Sequence, residues 1–482
     1  MDQRALNLVI DALSTSDPRF GDLVEGTRVS GYELLDDAWR IANMLAVRSR
    51  RDGSGCAVVA VMGNLSREFL AWVIGTHLAS GIAAPLYPML RPKECDTVLS
   101  LLRPDVIVAN SDQGGELSGY AFDPDFGAFI AEHPPERQPL PQEADLVLFS
   151  SGSTGESKGI LLNGTAILRS ATSFGERLGI TPGARYFCPL PMAHSGGLIM
   201  GWWASALQGA VMLGSATSNF DVVARRLTEV RPEIVGAVDT FFYRWAQATG
   251  GRSALGRVAW STGDKRTLEL VQRGCGFEHV VRPYGLTEAS PNVGVGDPNR
   301  NDGTPADSRI WVHDGVNVKI DVTTVDDEPG LGEILVSGAC VSPGYLTPEG
   351  VVPVADDDGW IHTGDLGYFE PDGSMQYVGR LKEMLKVGGL NVWPQEIEAV
   401  LQEIDIKNSI CVVGRRDDEY GELPVLVVEG SLSDGERKLV AKALSTLPRI
   451  KQPRDILYFE AFPVTASGKM DRRTITKLTN DR

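Results

Sequence analysis

Apolar and polar residues alternate in blocks along the first hundred positions. Ala57-Val58-Val59-Ala60-Val61 is an unbroken apolar run that predicts a strand, and Ser66 to Ala79 carries a helical pattern. Ala83 to Tyr87 and Asp105 to Ala109 read as two further strands. Strands that alternate with helices argue for a mostly parallel sheet covered by helices. A polar, proline-rich stretch, His133 to Gln142, reads as a surface connector and leads to another apolar strand, Leu146-Val147-Leu148. The rhythm continues through Leu190, Val211, Ile234 and Val258, and then gives way to a β-rich section, Gly332 to Tyr345, with Glu333-Ile334-Leu335-Val336 as one strand. From about Arg380 a smaller α/β pattern begins, with strands at Ile410 to Val413 and Val425 to Val428 and a charged helix from Asp434 to Leu447. A boundary near Leu381-Lys382 divides the chain into residues 1–380 and 381–482. No internal repeat is present.

One block needs arbitration. Gly196 to Ala216 carries no charge and includes Trp202 and Trp203, as a membrane span would. Gln208-Gly209 breaks it midway, so a buried helix followed by the strand Ala210-Val211-Met212-Leu213 is the better reading. The chain's 482 residues exceed one compact core, and 43% hydrophobic with 23% charged residues is ordinary for a soluble protein. A net charge of −17 offers no basic face to nucleic acid or an anionic membrane. The six cysteines (Cys56, Cys95, Cys188, Cys275, Cys340, Cys411) form no Cys-x-x-Cys pair and read as reduced residues of a cytoplasmic protein. The six histidines lack zinc-site spacing, and Met1-Asp2-Gln3-Arg4 does not open a secretory signal.

Any anionic ligand must therefore be gripped locally, and four stretches have the chemistry. Phe149-Ser150-Ser151-Gly152-Ser153-Thr154-Gly155-Glu156-Ser157-Lys158-Gly159-Ile160 combines glycines, hydroxyls and one lysine after a strand, which suits a polyphosphate but does not have the Walker spacing. By itself it reads equally well as a surface loop. Tyr284-Gly285-Leu286-Thr287-Glu288 offers an aromatic face, a hydroxyl and a carboxylate for a purine, a phosphate and a magnesium ion, or else a core tyrosine and an ordinary turn. His362-Thr363-Gly364-Asp365 sets a carboxylate at a tight turn, suited to two ribose hydroxyls or simply to water. Pro463-Val464-Thr465-Ala466-Ser467-Gly468-Lys469-Met470-Asp471-Arg472 puts a lysine on a glycine-containing loop, where it can neutralise developing charge or lie solvated.

Taken in order with Gly332–Tyr345 and Gly379-Arg380-Leu381-Lys382-Glu383, these stretches resemble the core motifs of adenylate-forming enzymes, which include acyl-CoA synthetases. The resemblance covers roughly residues 30 to 475. It implies an α/β fold: a large N-terminal domain of stacked, mostly parallel sheets with helices and a β-rich section, and a small mobile α/β C-terminal domain. It also implies an acid–thiol ligase that uses ATP, Mg²⁺ and CoA.

By that resemblance Ser151, Ser153, Thr154 and Lys158 line the β- and γ-phosphates. Tyr284, with Gly285 and Gly263 nearby, holds adenine; Thr287 contacts the α-phosphate and Glu288 holds magnesium. Asp365 and Arg380 bind the ribose, and Lys469 bridges the carboxylate and the α-phosphate. Lys382 is the hinge about which the C-terminal domain swings, bringing Lys386, Gly388 and Gly389 to the site for thioester formation. His194, in Pro191-Met192-Ala193-His194-Ser195-Gly196-Gly197, borders the acyl pocket and the thiol tunnel. The chain departs from the family at Val238-Asp239-Thr240-Phe241-Phe242 and at Thr262-Gly263-Asp264-Lys265, both beside the acyl and adenine sites. No acidic residue beside His194 is placed to fix an α-amino group, which disfavours amino-acid substrates. Trp202, Phe241, Phe242, Tyr243 and Trp245 hint at a bulky apolar or aromatic acid, although such residues more often pack a core. The alternatives are transfer of the acyl group to a carrier-protein phosphopantetheine, or a paralogue that binds without turnover. Intact Lys158, Glu288, Asp365, Arg380 and Lys469 argue against the last. Whether the chain is a monomer or a homodimer is open.

Overall fold

The structure is a computed structural model. It describes every residue except 53–56, 89, 110–116, 118, 125, 134–135, 138, 151–157, 216, 218, 250–255, 264, 299–305, 325–328, 403, 405, 407, 465–469 and 482, with backbone alone at 48–52, 150, 265–267, 270, 306–307 and 402. The chain packs into two compact units, Met1–Val318 with Val336–His362, and Lys319–Leu335 with Thr363–Arg482.

The first unit holds an eight-stranded and a nine-stranded sheet. In the nine-stranded sheet Val58–Met62 lies between Ile82–Leu86 and Val106–Val108, all parallel, and antiparallel strands complete both flanks. Strands covered on both faces read as continuous apolar runs, which is why Val58–Met62 shows no alternation in sequence. Side-chain parity nevertheless splits it between two cores. Val59 and Val61 join Ala83, Leu146 and Leu148 on one face, while Val58 and Ala60 join Ile82, Ala84, Val147 and the helix residues Val98 and Leu102 on the other. The first of these cores continues through the buried helices Arg67–Leu78 and Gly164–Arg177 to Tyr186, Ile234, Val258 and Trp260 of the eight-stranded sheet. That sheet's far face, with Phe187, Val235, Ala259 and Val280, is covered by Val223, Leu227, Phe242, Trp245, Leu268 and Val271 from three helices.

Expected and observed elements agree closely where caps mark the ends. The helix foreseen over Ser66 to Ala79 spans Arg67–Leu78, and Ser66 is its N-cap, accepting from the Phe69 amide at 3.1 Å. The uncharged block is Gly196–Trp203, Ala204–Leu207 and then the strand Val211–Gly214, and no described helix is long and apolar enough to cross a membrane. One expectation shifts: the strand anticipated around Leu190 is Arg185–Phe187, and Leu190 lies beyond its end.

The second unit carries a four-stranded sheet, which includes the antiparallel pair Ile361–Phe369 and Met375–Arg380, and a five-stranded sheet. In the latter Gly421–Glu429 pairs antiparallel with Ile410–Asp417 and parallel with Asp455–Phe459. One face packs Val412, Leu426 and Val428 against Ile397, Leu401, Val440 and Leu444; the other packs Cys411, Val425 and Val427 against Ile475 of the helix Arg472–Asn480. Leu331, Leu366 and Trp393, flanked by Val378, Leu381 and Met384, form a smaller core of their own.

Candidate active site

Arg185–Phe187, Ile234–Gly236, Val258–Trp260 and His279–Val281 are neighbouring parallel strands paired residue for residue. Their C-terminal ends therefore open on one edge, the usual locus of ligands in such sheets. The segments that leave that edge carry His194, Asp239, Gly263 and Tyr284 to Glu288.

Tyr284 is 7% exposed, in a two-residue strand paired with Gly294–Val295. Gly285 is obligatory, because a Cβ there would overlap the Pro291 carbonyl oxygen. Thr287 and Glu288 lie on the 3-10 turn Thr287–Ala289, closed by Ser290 at a left-handed φ of 61° whose hydroxyl donates to the Cys340 carbonyl at 2.8 Å. Thr287 Oγ1 lies 3.3 Å from Ser195 Oγ. Next to Ser195, His194 is half-buried, and its Nδ1 accepts from the Gly196 amide at 3.0 Å. A neutral His194 so held carries its proton on Nε2.

Lys158 opens the strand Lys158–Leu162, which pairs with Leu146–Ser150 so that Ser150 faces Lys158 across the hairpin. On its other side Gly344–Thr347 pairs antiparallel, setting Tyr345 beside Ile160. The Lys158 Nζ thus lies 5.4 Å from the Tyr345 ring centre, and the Tyr345 hydroxyl donates to Glu288 Oε1 at 2.9 Å. Burial, and then the Glu288 carboxylate, push the Tyr345 ionisation well above its usual range, so the phenol stays a donor. The Glu288 carbonyl accepts from the Ser342 amide at 2.8 Å. Three chain-distant groups are joined in this way, and nothing in the spacing of Tyr345 along the chain marks its part.

The helix after His194 begins as a π-helix, Gly196–Trp203, a form often found at functional sites. Its Met200 carbonyl is taken by the Tyr186 hydroxyl at 2.9 Å, which in turn accepts from Trp260 Nε1 at 2.6 Å. Gly197 is needed where this helix abuts the Pro191 carbonyl, and Gly236 where the Trp260 indole lies across the strand. Ser261, fully buried, donates its hydroxyl to Asp239 Oδ1, which explains how the chain accommodates Asp239 at the strand ends. Trp202, Phe242 and Trp245 are fully buried, and the last two sit with Phe277 on the helix-covered face of the sheet. These aromatics pack the core, as most such residues do.

In the second unit Asp365, 6% exposed, lies opposite Arg380 across two paired strands, with Arg380 Nε 3.2 Å from Asp365 Oδ1. Gly364, at φ 68°, donates its amide to Glu333 Oε1 at 2.8 Å and turns the chain into that position. Lys382 is exposed on the turn Leu381–Glu383 that follows at once. Gly388 and Gly389, at φ 57° and 86°, form the two-residue turn between Leu385–Val387 and Leu390–Val392, where both positions need a positive φ. Lys386 is exposed beside them, its ammonium donating to Asn391 Oδ1. Ser151, Ser153, Thr154, Asp264 and Lys469 lie outside the described residues.

The family of AMP-binding enzymes matches residues 11–346, and the family of their C-terminal domain matches residues 396–469. The chain belongs to the AMP-binding enzymes. This AMP-binding enzyme is 26% identical to the 2-succinylbenzoate–CoA ligase of Listeria monocytogenes serovar 1/2a over 94% of each chain. It is 29% identical over 70% of its length to the 3-[(3aS,4S,7aS)-7a-methyl-1,5-dioxo-octahydro-1H-inden-4-yl]propanoyl:CoA ligase of Mycobacterium tuberculosis, covering 67% of that protein. In fold it matches the ATP-bound MatB of Rhodopseudomonas palustris with a TM-score of 0.79 at 22% identity, over 99% of both chains. It also matches the o-succinylbenzoate CoA synthetase (MenE) of Bacillus subtilis with a TM-score of 0.76 at 24% identity, over 97% of both.

Proposed function

We propose that this AMP-binding enzyme joins a carboxylic acid to ATP, releases pyrophosphate, and passes the acyl group from the adenylate to the thiol of CoA. The observation that carries the reading is the chain Lys158–Tyr345–Glu288, set beside Thr287, Ser195 and His194. It gathers a cation, a hydroxyl and a carboxylate where two anions must be brought together. Lys158, with Ser151, Ser153 and Thr154, neutralises the β- and γ-phosphates. Tyr284, Gly285 and Gly263 hold adenine, Thr287 faces the α-phosphate, and Asp365 and Arg380 take the ribose hydroxyls. Lys469 balances the charge on the substrate carboxylate and the α-phosphate during adenylation.

Glu288 fits a magnesium ion. It is a half-buried hard-oxygen donor with one oxygen steadied by a phenol, and Mg²⁺ is commonly held by one or two carboxylates plus substrate phosphates. Bound there, the ion would offset phosphate charge. Residues 381–482 act as a lid hinged at Lys382, which replaces Lys469 with Lys386 and the Gly388-Gly389 turn for thioester formation. The acid is a cyclic or aromatic one and the enzyme cytoplasmic. That choice draws on ring-bearing acids named for its relatives, 2-succinylbenzoate and indoleacetate among them, since the buried tryptophans lend it nothing.

Pyrophosphate release with ATP, Mg²⁺ and a panel of aliphatic, aromatic and polycyclic acids, with and without CoA, tests this. Acid-dependent release with an acyl-CoA product is expected. Release that halts at the adenylate points to a carrier protein as acceptor, and no release from any acid overturns the reading.

A further inference from the structure

The second unit contains an ion cluster that the steps above do not use. Arg472 opens the helix Arg472–Asn480, three residues past Lys469 in sequence. Its approach is tied locally: Val464 bridges Met470, and the Asp471 amide donates to the Pro463 carbonyl at 2.8 Å. Asp471 then caps the helix, accepting from the Thr474 amide at 3.1 Å. The Arg472 side chain is 22% exposed. Its Nη1 and Nη2 donate to the two oxygens of Glu398 at 2.8 and 3.1 Å, and Nη1 also donates to the Val412 carbonyl at 2.6 Å. Glu398 Oε1 accepts in addition from the Val412 amide at 2.6 Å, so the acceptor is itself pinned to the strand Ile410–Asp417. Arg472 Nε lies 3.6 Å from Glu383 Oε2, which accepts from Gln395 Nε2 at 2.9 Å.

Glu383 is the residue after Lys382, on the same short turn. One guanidinium therefore bonds the helix residue Glu398 and, through the Val412 carbonyl, the strand, and it faces the turn through Glu383, while standing three residues past Lys469. A planar guanidinium meets a carboxylate with two parallel bonds and keeps further donors in fixed directions; an ammonium offers three donors from a single point and cannot reproduce that fork. We propose that Arg472 is a positioning residue for adenylation, fixing the segment that follows Lys469 in sequence to the sheet and to the turn that carries Lys382. This rests on the adenylation and hinge roles proposed above. A lysine displaced by an ångström at the reacting centre costs up to about a hundredfold in rate.

The test is R472K, which keeps the charge and loses the fork, with E383Q as a second variant that retains an oxygen for Gln395. Both are assayed in the full chain for each half-reaction: pyrophosphate release from ATP and acid, and thioester formation from a supplied acyl-adenylate and CoA. R472K is expected to lower the kcat of adenylation about tenfold or more, with KM for ATP unchanged and thioester formation within about twofold of the parent. E383Q is expected to move in the same direction by less. In a K469A background R472K should have no further effect on adenylation, since the group it positions is gone. If K469A abolishes adenylation while R472K leaves it intact, the proposal fails and the role of Lys469 stands. If R472K slows both half-reactions equally, or adds its full effect to K469A, Arg472 is merely structural and the proposal also fails. Unchanged adenylation in K469A would instead overturn the Lys469 assignment on which the proposal rests.

Discussion

Replacing Tyr345 by phenylalanine isolates one bond of the proposed site. The ring under the Lys158 ammonium, 5.4 Å away, is retained, and only the hydroxyl that donates to Glu288 Oε1 at 2.9 Å is lost. A hydrogen bond to a charged acceptor contributes about 1.5–3 kcal/mol, and partial exposure of both groups brings this toward about 1–2 kcal/mol. Released from the phenol, Glu288 would lose its fixed orientation, so the cost should fall on magnesium rather than on ATP recognition as a whole. Groups that orient a metal ligand typically contribute about tenfold to a hundredfold in affinity, and about 1–2 kcal/mol is about five- to thirtyfold. The assay is initial pyrophosphate release at fixed ATP and acid across a range of free Mg²⁺. Tyr345→Phe should shift the half-maximal Mg²⁺ concentration upward by about tenfold and recover most of the parent rate at saturation. A curve superimposed on the parent's, or one scaled down equally at every Mg²⁺ concentration, would refute the reasoning.

Two other outcomes follow from the geometry. Lys382→Pro should slow thioester formation from a supplied adenylate far more than adenylation, because proline restricts the backbone rotation a swing requires; equal loss of both steps would count against the hinge. His77 and His313 are buried neutral, each lowered to about 4, His77 by burial outweighing the field of Asp145, and His313 by burial with help from Arg177. The unfolded chain, with histidines near their usual value of about 6.5, then binds more protons than the folded one between about pH 6.5 and 4. Stability is complete above that window and is lost on acidification through it, by about 2 kcal/mol per histidine at pH 5 relative to pH 7. Urea unfolding across pH 7 to 5 checks this, and a flat profile would contradict it.

How much of this was legible in the chain depends on the range of the interaction. The helix Arg67–Leu78 was readable because its cap, Ser66, is local, and the strands because apolar runs of that length have few alternatives. The order of the motifs revealed the family, since each motif carries its own turn chemistry. The joining of Lys158, Tyr345 and Glu288 was not readable. It depends on the antiparallel pairing of Gly344–Thr347 with Lys158–Leu162, and no local pattern sets which strands become neighbours. The π-helical start of Gly196–Trp203 was equally hidden, because its Met200 carbonyl is satisfied by Tyr186 from another strand. Phe242 and Trp245 suggested a ligand wall, but both sit on the helix Asp239–Thr249 and pack onto the sheet beside Phe277, so they fill a core. Arg472 stood at the end of the Pro463 to Arg472 stretch without a role of its own, since nothing local shows that Glu398 and Glu383 gather around it.

The common edge on which the four parallel strands end separates what must persist from what can be exchanged. Pairing and interleaved apolar faces hold Arg185–Phe187, Ile234–Gly236, Val258–Trp260 and His279–Val281 wherever their trailing loops lead. The segment after Ile234–Gly236 brings Asp239 to the buried Ser261 hydroxyl, while Phe242 three residues on belongs to the core itself. A change confined to the residues that leave this edge would keep the pairing and the apolar contacts of the four strands in place.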